Sequence, residues 1–188
     1  MRIARFLPLP LLAAAAVSCR DAAADAPTAP APPLAPSAAR SASRSAADPV
    51  VIPAPNGFVS TVLARGSFVD AIDATFRIKH HTATRVVHVD DPTQMVMARI
   101  TIAPGGALPW HTHPGPALVT VAAGALTVVD SEGCEAHTYP AGTSFMDSGQ
   151  GHVHTAFNGG NVEMVLYVTY LDVPVGQSPL VVASNPGC

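Results

Sequence analysis

The sequence predicts an all-β fold, a sandwich or barrel of short strands, that follows a non-globular N-terminal extension. Beyond residue 56, short apolar or alternating runs are separated by turn residues about every 8–12 positions. The same region shows no amphipathic pattern of normal helix length. The first 56 residues are instead dominated by alanine, proline and serine.

The chain has 188 residues, of which 12% are charged, and its formal net charge is −3. This length suits one domain with an extension, and a region of about 130 residues is large enough to bury a core. The charge balance offers no basic surface, so we expect no nucleic-acid partner.

Residues 1–19 resemble a secretory signal, with a basic start, an apolar run over 6–17 and small residues at the end. The ending Ala16-Val17-Ser18-Cys19 resembles a bacterial lipoprotein signal, although Ala16 stands where leucine is favoured. That reading makes Cys19 the lipidated residue and the only membrane attachment. Ordinary secretion and a buried N-terminal helix are the alternatives. We therefore expect an exported protein, either a lipoprotein of the cell envelope or periplasm or a secreted protein.

Residues 20–56 carry no periodic apolar face, and proline recurs throughout. Such a composition buries too little surface to offset the entropy of ordering. We expect a disordered tether that holds a domain of residues 57–188 away from the membrane.

Within residues 57–188 the strands follow one another with turns between them. The clearest alternation is Gln94–Ile102, where Val96, Ala98 and Ile100 share a face, and Pro104-Gly105-Gly106 is expected to end that strand. The other predicted strands are 58–63, 76–79, 85–89, 117–122, 125–129, 137–139, 143–146, 153–157 and 162–173.

His111 and His113 lie two residues apart, so in an extended strand both side chains point to one face while Thr112 points away. Two imidazoles on one face are a good start for a divalent metal site. Two ligands bind weakly, so other parts of the chain should supply more.

The three cysteines are consistent with export. If Cys19 is lipidated or removed with the signal, Cys134 and Cys188 are left as a pair. In an oxidising compartment such a pair suggests a disulfide; two unrelated thiols are the alternative.

Two stretches resemble the motifs of the cupin superfamily. Gly105-x5-His111-Thr112-His113-x3-Ala117-x6-Gly124 follows the first motif (residues 105–124), and Pro140-x-Gly142 with His154-x3-Asn158 resembles the second (residues 140–158). The resemblance implies a jelly roll, a double-stranded β-helix barrel, with one divalent metal ion inside. It also implies that homodimers are plausible.

The site implied by this resemblance departs from the family pattern at one ligand. Ala117 occupies the position of the motif glutamate, so the remaining metal ligands are His111, His113 and His154. His152 is an alternative metal ligand or a proton shuttle. Asp147 and Glu163 are acids that could supply a carboxylate from elsewhere. Three imidazoles suit Zn, Cu, Fe, Ni or Mn to differing degrees.

The remaining histidines are interpreted as lying outside the site. His80 and His81 are adjacent and would face opposite ways on a strand, and His88 falls in an apolar alternation. His137 could form a metal half-site with Cys134 only if that thiol were free.

Two function classes remain open. The first is a small cupin metalloenzyme, resembling a dioxygenase, isomerase or hydrolase, that acts on a small organic molecule. The second is a non-catalytic module that binds a metal or small ligand in the cell envelope. The sequence does not decide whether the protein is an enzyme.

Overall fold

The structure, a computed structural model, describes residues 50–80 and 83–188. The predicted signal peptide, Cys19, His81 and residues 20–49 of the predicted tether lie outside the described residues. The described part of the chain contains twelve strands and no helix, which confirms the all-β prediction. Among these residues, no helix is long and apolar enough to cross a membrane.

The strands are numbered in chain order. They are β1 (Asn56–Ser67), β2 (Asp73–His80), β3 (Ala83–Asp90), β4 (Gln94–Ala107), β5 (His111–Thr112), β6 (Ala117–Ala123), β7 (Ala125–Asp130), β8 (Ala136–Pro140), β9 (Ser144–Asp147), β10 (His154–Phe157), β11 (Met164–Tyr170) and β12 (Val181–Val182).

Ten of the strands form one antiparallel sheet that curves into a nearly closed barrel. Its main path runs β12-β5-β10-β4-β11-β6-β9, with β1 added to β4 and β7 and β8 attached through β10. The remaining two strands, β2 and β3, pair as a separate hairpin. The two sequence motifs therefore meet in one barrel, since β5 pairs with β10 and β6 pairs with β9.

The barrel interior is filled by the apolar residues that alternate along its strands. On β4 the predicted inward face is confirmed, because Val96, Ala98, Ile100 and Ile102 are all buried. They pack against inward residues of β6, β7, β10 and β11 in one cluster. The alternation predicts this arrangement because a two-residue period places every second side chain on the core face.

One expected strand end is wrong. We predicted that Pro104-Gly105-Gly106 would end β4, but the strand continues to Ala107. The register against β1 shifts there, from Phe58↔Ile102 to Asn56↔Ala107, so the strand bulges without ending. Glycine permits the bulge, because Gly105 has φ +72° and a Cβ at Gly106 would lie 2.9 Å from Ile102.

The C-terminal segment (residues 174–188) closes one side of the barrel. Its strand β12 pairs with β5 through Val181↔Thr112 and Val182↔His111. The structure contains the Cys134–Cys188 disulfide, which ties the end of this segment to the turn between β7 and β8. Cys188 also packs on a small apolar cluster with Trp110, Val129 and Phe157.

Removing this disulfide should lower the stability of the domain. The bond closes a separation of 54 residues, and the entropy of such a loop in the unfolded chain corresponds to roughly 4 kcal/mol. We expect C134S/C188S to lose about that free energy of unfolding in urea, and reduced wild-type protein to match it. Equal stability of oxidised wild type and the double variant would contradict the prediction.

Candidate metal site

The strand register brings the two motifs together. On the antiparallel pair β5 and β10, His154 lies directly opposite His111, and directly paired residues project to the same face. His113 follows two residues after His111 and is also buried. The register thus selects His154 over His152 as the residue of the second motif that faces the pair.

The three imidazoles form a compact buried group. One nitrogen from each of His111, His113 and His154 lies within 4.8 Å of the others, so one ion could contact all three. Their ring centroids are 4.3 to 5.3 Å apart. All three residues are at most 6% exposed.

Backbone carbonyls orient two of the rings. Nδ1 of His111 donates to the carbonyl oxygen of Pro109 at 2.7 Å, and Nδ1 of His113 donates to that of Pro179 at 2.8 Å. Donation from Nδ1 leaves the lone pair of Nε2 available for a metal ion. This tautomer is the one that a metal-binding histidine needs.

The third ring is held differently. Nδ1 of His154 is buried and makes no hydrogen bond of good geometry, and the nearest charged group is Oδ2 of Asp147 at 3.5 Å. A buried imidazole nitrogen without a partner is costly in an apolar interior. The three imidazoles, with one nitrogen of each within 4.8 Å of the others, are a donor set that fits a divalent cation.

Burial keeps the triad uncharged. Burial and the neighbouring His154 and His113 rings hold the pKa of His111 well below its ordinary value. Burial, again with His154, lowers the pKa of His113 to about 4. Burial also lowers the pKa of His154. Neutral imidazoles are the form that binds metal, so the triad does not have to lose protons near neutral pH.

Beside the triad lies an acid–histidine cluster (Asp147, His152 and Asp130). Nδ1 of His152 donates to Oδ2 of Asp147 at 2.6 Å, and Nε2 of His152 lies 3.2 Å from Oδ1 of Asp130. Burial opposes the charge on His152, but these two carboxylates outweigh it and raise its pKa to about 9. Burial opposes ionisation of Asp147 too, yet His154 and His152 hold its pKa well below the ordinary value.

The triad opens into a small cavity of about 30 Å³. Asp147 and Tyr170 are its other polar lining residues, and the rest of the wall is aliphatic or aromatic, including Leu180 of the C-terminal segment. Such a volume holds roughly two water-sized groups, at about 10–15 Å³ for each. The cavity is thus narrow, largely apolar and centred on the imidazoles.

The structure places the other predicted residues as follows. His152 is not part of the cavity wall, since both its nitrogens face carboxylates. Ala117 is buried at the motif glutamate position, and Glu163 is exposed. His88 forms a hydrogen bond with the hydroxyl of Thr75, and His137 lies 3.6 Å from Glu135. Neither histidine lines the cavity.

Three participants were not predicted from the sequence. Tyr170, within the predicted strand 162–173, lines the cavity, and the carbonyl of Pro179 and the side chain of Leu180 reach the site from the C-terminal segment. The final pairing of β12 with β5 brings them there. Two residues of strand carry no pattern that could have predicted this pairing.

The buried histidine triad places this protein among β-barrel proteins that have a potential metal site in the barrel interior. Residues 98–170 match the family model described as the cupin domain. This match covers both histidine motifs and the barrel strands β5 to β11. Residues 98–170 therefore form a cupin domain.

Several solved structures resemble the chain at low overall similarity. A cupin domain from Bordetella pertussis Tohama I is 18% identical, with 64% of this chain and 98% of that chain covered and a TM-score of 0.42. An oxalate oxidase is 30% identical over 47% of this chain and 46% of its own, with a TM-score of 0.39. The polyketide cyclase RemF from Streptomyces resistomycificus is 17% identical over 49% of this chain and 64% of its own, with a TM-score of 0.40.

The match to this chain spans about half the length of the oxalate oxidase and of a sugar phosphate isomerase-like structure from Acidithiobacillus ferrooxidans. No curated protein sequence matches it significantly.

The metal-free protein should be most stable near pH 6.5. Below that pH the histidines of the unfolded chain bind protons, while those of the folded triad stay neutral, His113 down to about pH 4. The free energy of unfolding therefore falls by up to about 1.4 kcal/mol per pH unit for each such imidazole. Above it, folded His152 keeps its proton up to about pH 9 while the unfolded chain does not, so stability falls again.

Urea unfolding of chelator-treated protein between pH 4.5 and 9.5 measures this profile. H152N should lose the alkaline decline, whereas H88A, which changes an exposed histidine, should keep both declines. A flat wild-type profile would contradict the assignment of these charge states.

Gly149 should be irreplaceable in the turn after β9. A Cβ there would lie 2.0 Å from the carbonyl oxygen of Gly115, whereas one at Gly151 meets nothing within 4 Å. Both glycines have positive φ, so G149A and G151A share the backbone strain and differ in the clash. We expect G149A to lose roughly 1–3 kcal/mol more free energy of unfolding than G151A. Equal losses by chemical denaturation would contradict the close approach of the two loops.

Proposed function

We propose that the protein is a metal-binding cupin whose single divalent ion is held by His111, His113 and His154. The observation that carries the proposal is the convergence of three buried imidazoles, two of which donate Nδ1 to backbone carbonyls. A purely structural role would not require three neutral imidazoles to share one apolar cavity.

Three protein ligands leave coordination positions for water or substrate, which is the pattern of catalytic and not of structural sites. We therefore infer a small metalloenzyme that acts on a small organic molecule, in the manner of a dioxygenase, isomerase or hydrolase. When bound, the ion would supply Lewis acidity to polarise a substrate oxygen or to activate water or dioxygen.

The protein's own residues would shape what reaches the ion. The aliphatic wall excludes bulk water, and Tyr170, buried against the ring of His113, offers a hydroxyl at the cavity. Three imidazoles suit zinc or copper, with iron, nickel and manganese as further candidates.

The narrowness of the cavity favours a second candidate function. A space of about 30 Å³ admits a metal ion and water-sized ligands but not an intact organic substrate, unless the C-terminal segment moves. The protein would then be a non-catalytic module that holds a metal ion or small ligand. Turnover of a small molecule by the metal-loaded protein separates the two functions.

Export belongs to the same proposal. The signal-like residues 1–19, with Cys19 as the lipidated residue, would place the domain in the cell envelope or release it from the cell. The Cys134–Cys188 bond suits an oxidising compartment. Membrane contact would be through the lipid alone, and a homodimer stays a prediction.

Elemental analysis tests the metal site directly. Protein purified without a histidine tag or chelator should contain close to one equivalent of a divalent transition metal. H111A and H154A should each retain roughly a tenth of that or less, because each loses one of three ligands.

H88A is the matched control, since it removes an imidazole that lies outside the cavity, and it should keep the wild-type metal content. Wild-type protein that holds no metal, even after reconstitution, would overturn the proposed function and leave the histidines as pocket lining.

A further inference from the structure

A row of three paired residues crosses the barrel wall beside the triad. Ala117 on β6 lies opposite Tyr170 on β11 and opposite Asp147 on β9. Directly paired residues project to the same face, and both Tyr170 and Asp147 line the cavity. The position that carries a glutamate in the family motif is thus flanked, on the neighbouring strand, by an inward-facing carboxylate.

Asp147 is built to carry a negative charge inside the barrel. The residue is only 3% exposed. Oδ1 accepts the N–H of Gly149 at 2.8 Å, and Oδ2 accepts Nδ1–H of His152 at 2.6 Å. His152 is flanked on its other side by Asp130. Two carboxylates outnumber one imidazole, so the cluster is negative in either protonation state of His152.

The same carboxylate is the nearest charged group to the third ring of the triad. Oδ2 of Asp147 lies 3.5 Å from the buried Nδ1 of His154. The rings of His111 and His113 each direct Nδ1 to a carbonyl oxygen, from Pro109 and Pro179. In the corresponding place beside His154 lies the carboxylate of Asp147, which is 3.5 Å from Nδ1 and makes no hydrogen bond of good geometry to it.

We propose that Asp147 supplies, from β9, the carboxylate that is missing at position 117, and that it acts on the ion through Nδ1 of His154. The inference rests on the proposed function. Asp147 is a positioning residue: its carboxylate favours the His154 tautomer that presents Nε2 to a cation, and its charge offsets that of the ion. Carboxylate–histidine–metal arrangements act in this way.

The contacts of Asp147 explain why it acts through His154 and not as a direct ligand. Both of its oxygens already accept hydrogen bonds. Its oxygens group with His152 and His154, whereas the compact set around His111 and His113 contains imidazole nitrogens alone.

The test compares D147N with D130N in the full chain. Both variants remove one negative charge from the same cluster and keep an amide oxygen near His152, but only position 147 lines the cavity. Zn²⁺ affinity is measured by competition with a chromophoric chelator, and Co²⁺ absorption reports the ligand field. D147N should weaken Zn²⁺ binding roughly 10- to 100-fold and shift the Co²⁺ bands, while D130N stays within about threefold of wild type.

Two further variants make the result independent of how well D147N folds. In the wild-type background, A117E should raise the affinity by less than about threefold, because a carboxylate is already present. In the D147N background, A117E should restore at least about tenfold of the lost affinity. Melting temperatures of the metal-free variants report the fold separately.

Zn²⁺ affinity in D147N equal to that in D130N, or a gain of about tenfold or more from A117E alone, would overturn the role of Asp147 while leaving the triad intact. Failure of wild-type protein to bind Zn²⁺ or Co²⁺ at all would overturn both this inference and the proposed function.

Discussion

The burial of three uncharged imidazoles in an apolar barrel is the constraint on which the rest of the site depends. Each ring carries two polar nitrogens into a largely apolar interior, where polar groups need partners from the surrounding chain. Two rings donate to carbonyl oxygens, of Pro109 just before β5 and of Pro179 in the C-terminal segment, and the carboxylate of Asp147 on β9 lies 3.5 Å from Nδ1 of the third. The polar requirements of one small group of rings thus tie together distant parts of the sequence.

The supporting elements are themselves locked by short-range constraints. The turn after β9 packs on the histidine stretch through the N–H of Gln150, which donates to the carbonyl of His113, and only glycine fits at position 149 against Gly115. On the other side, β12 pairs with β5 and the disulfide at Cys188 holds the end of the segment. The geometry of the triad and the stability of the domain therefore depend on the same contacts, so changes far along the chain should be felt at the site.

Most of the fold was predictable because the signals are local. Alternation along Gln94–Ile102 identified the inward face of β4, and glycine- and proline-containing turns separated most of the strands where the structure has them. The errors arose where pairing outweighs local preference. Strand β4 continues through the bulge at Gly105-Gly106 because β1 and β10 pair with its backbone on both sides. The predicted strand 162–173 shortens to Met164–Tyr170, and β12 forms only because β5 offers it an edge.

By itself, the sequence determined the all-β class, the two histidine motifs and the loss of a carboxylate at Ala117, since each depends on residue type and spacing along the chain. The sequence also predicted the disulfide between Cys134 and Cys188 that the structure contains. Tertiary structure alone decided that His154 faces His111 while His152 turns to two carboxylates, because strand register is a relation between segments. The same holds for Asp147 beside Ala117: thirty positions separate them in the sequence, and only the pairing of β6 with β9 brings the carboxylate to the cavity.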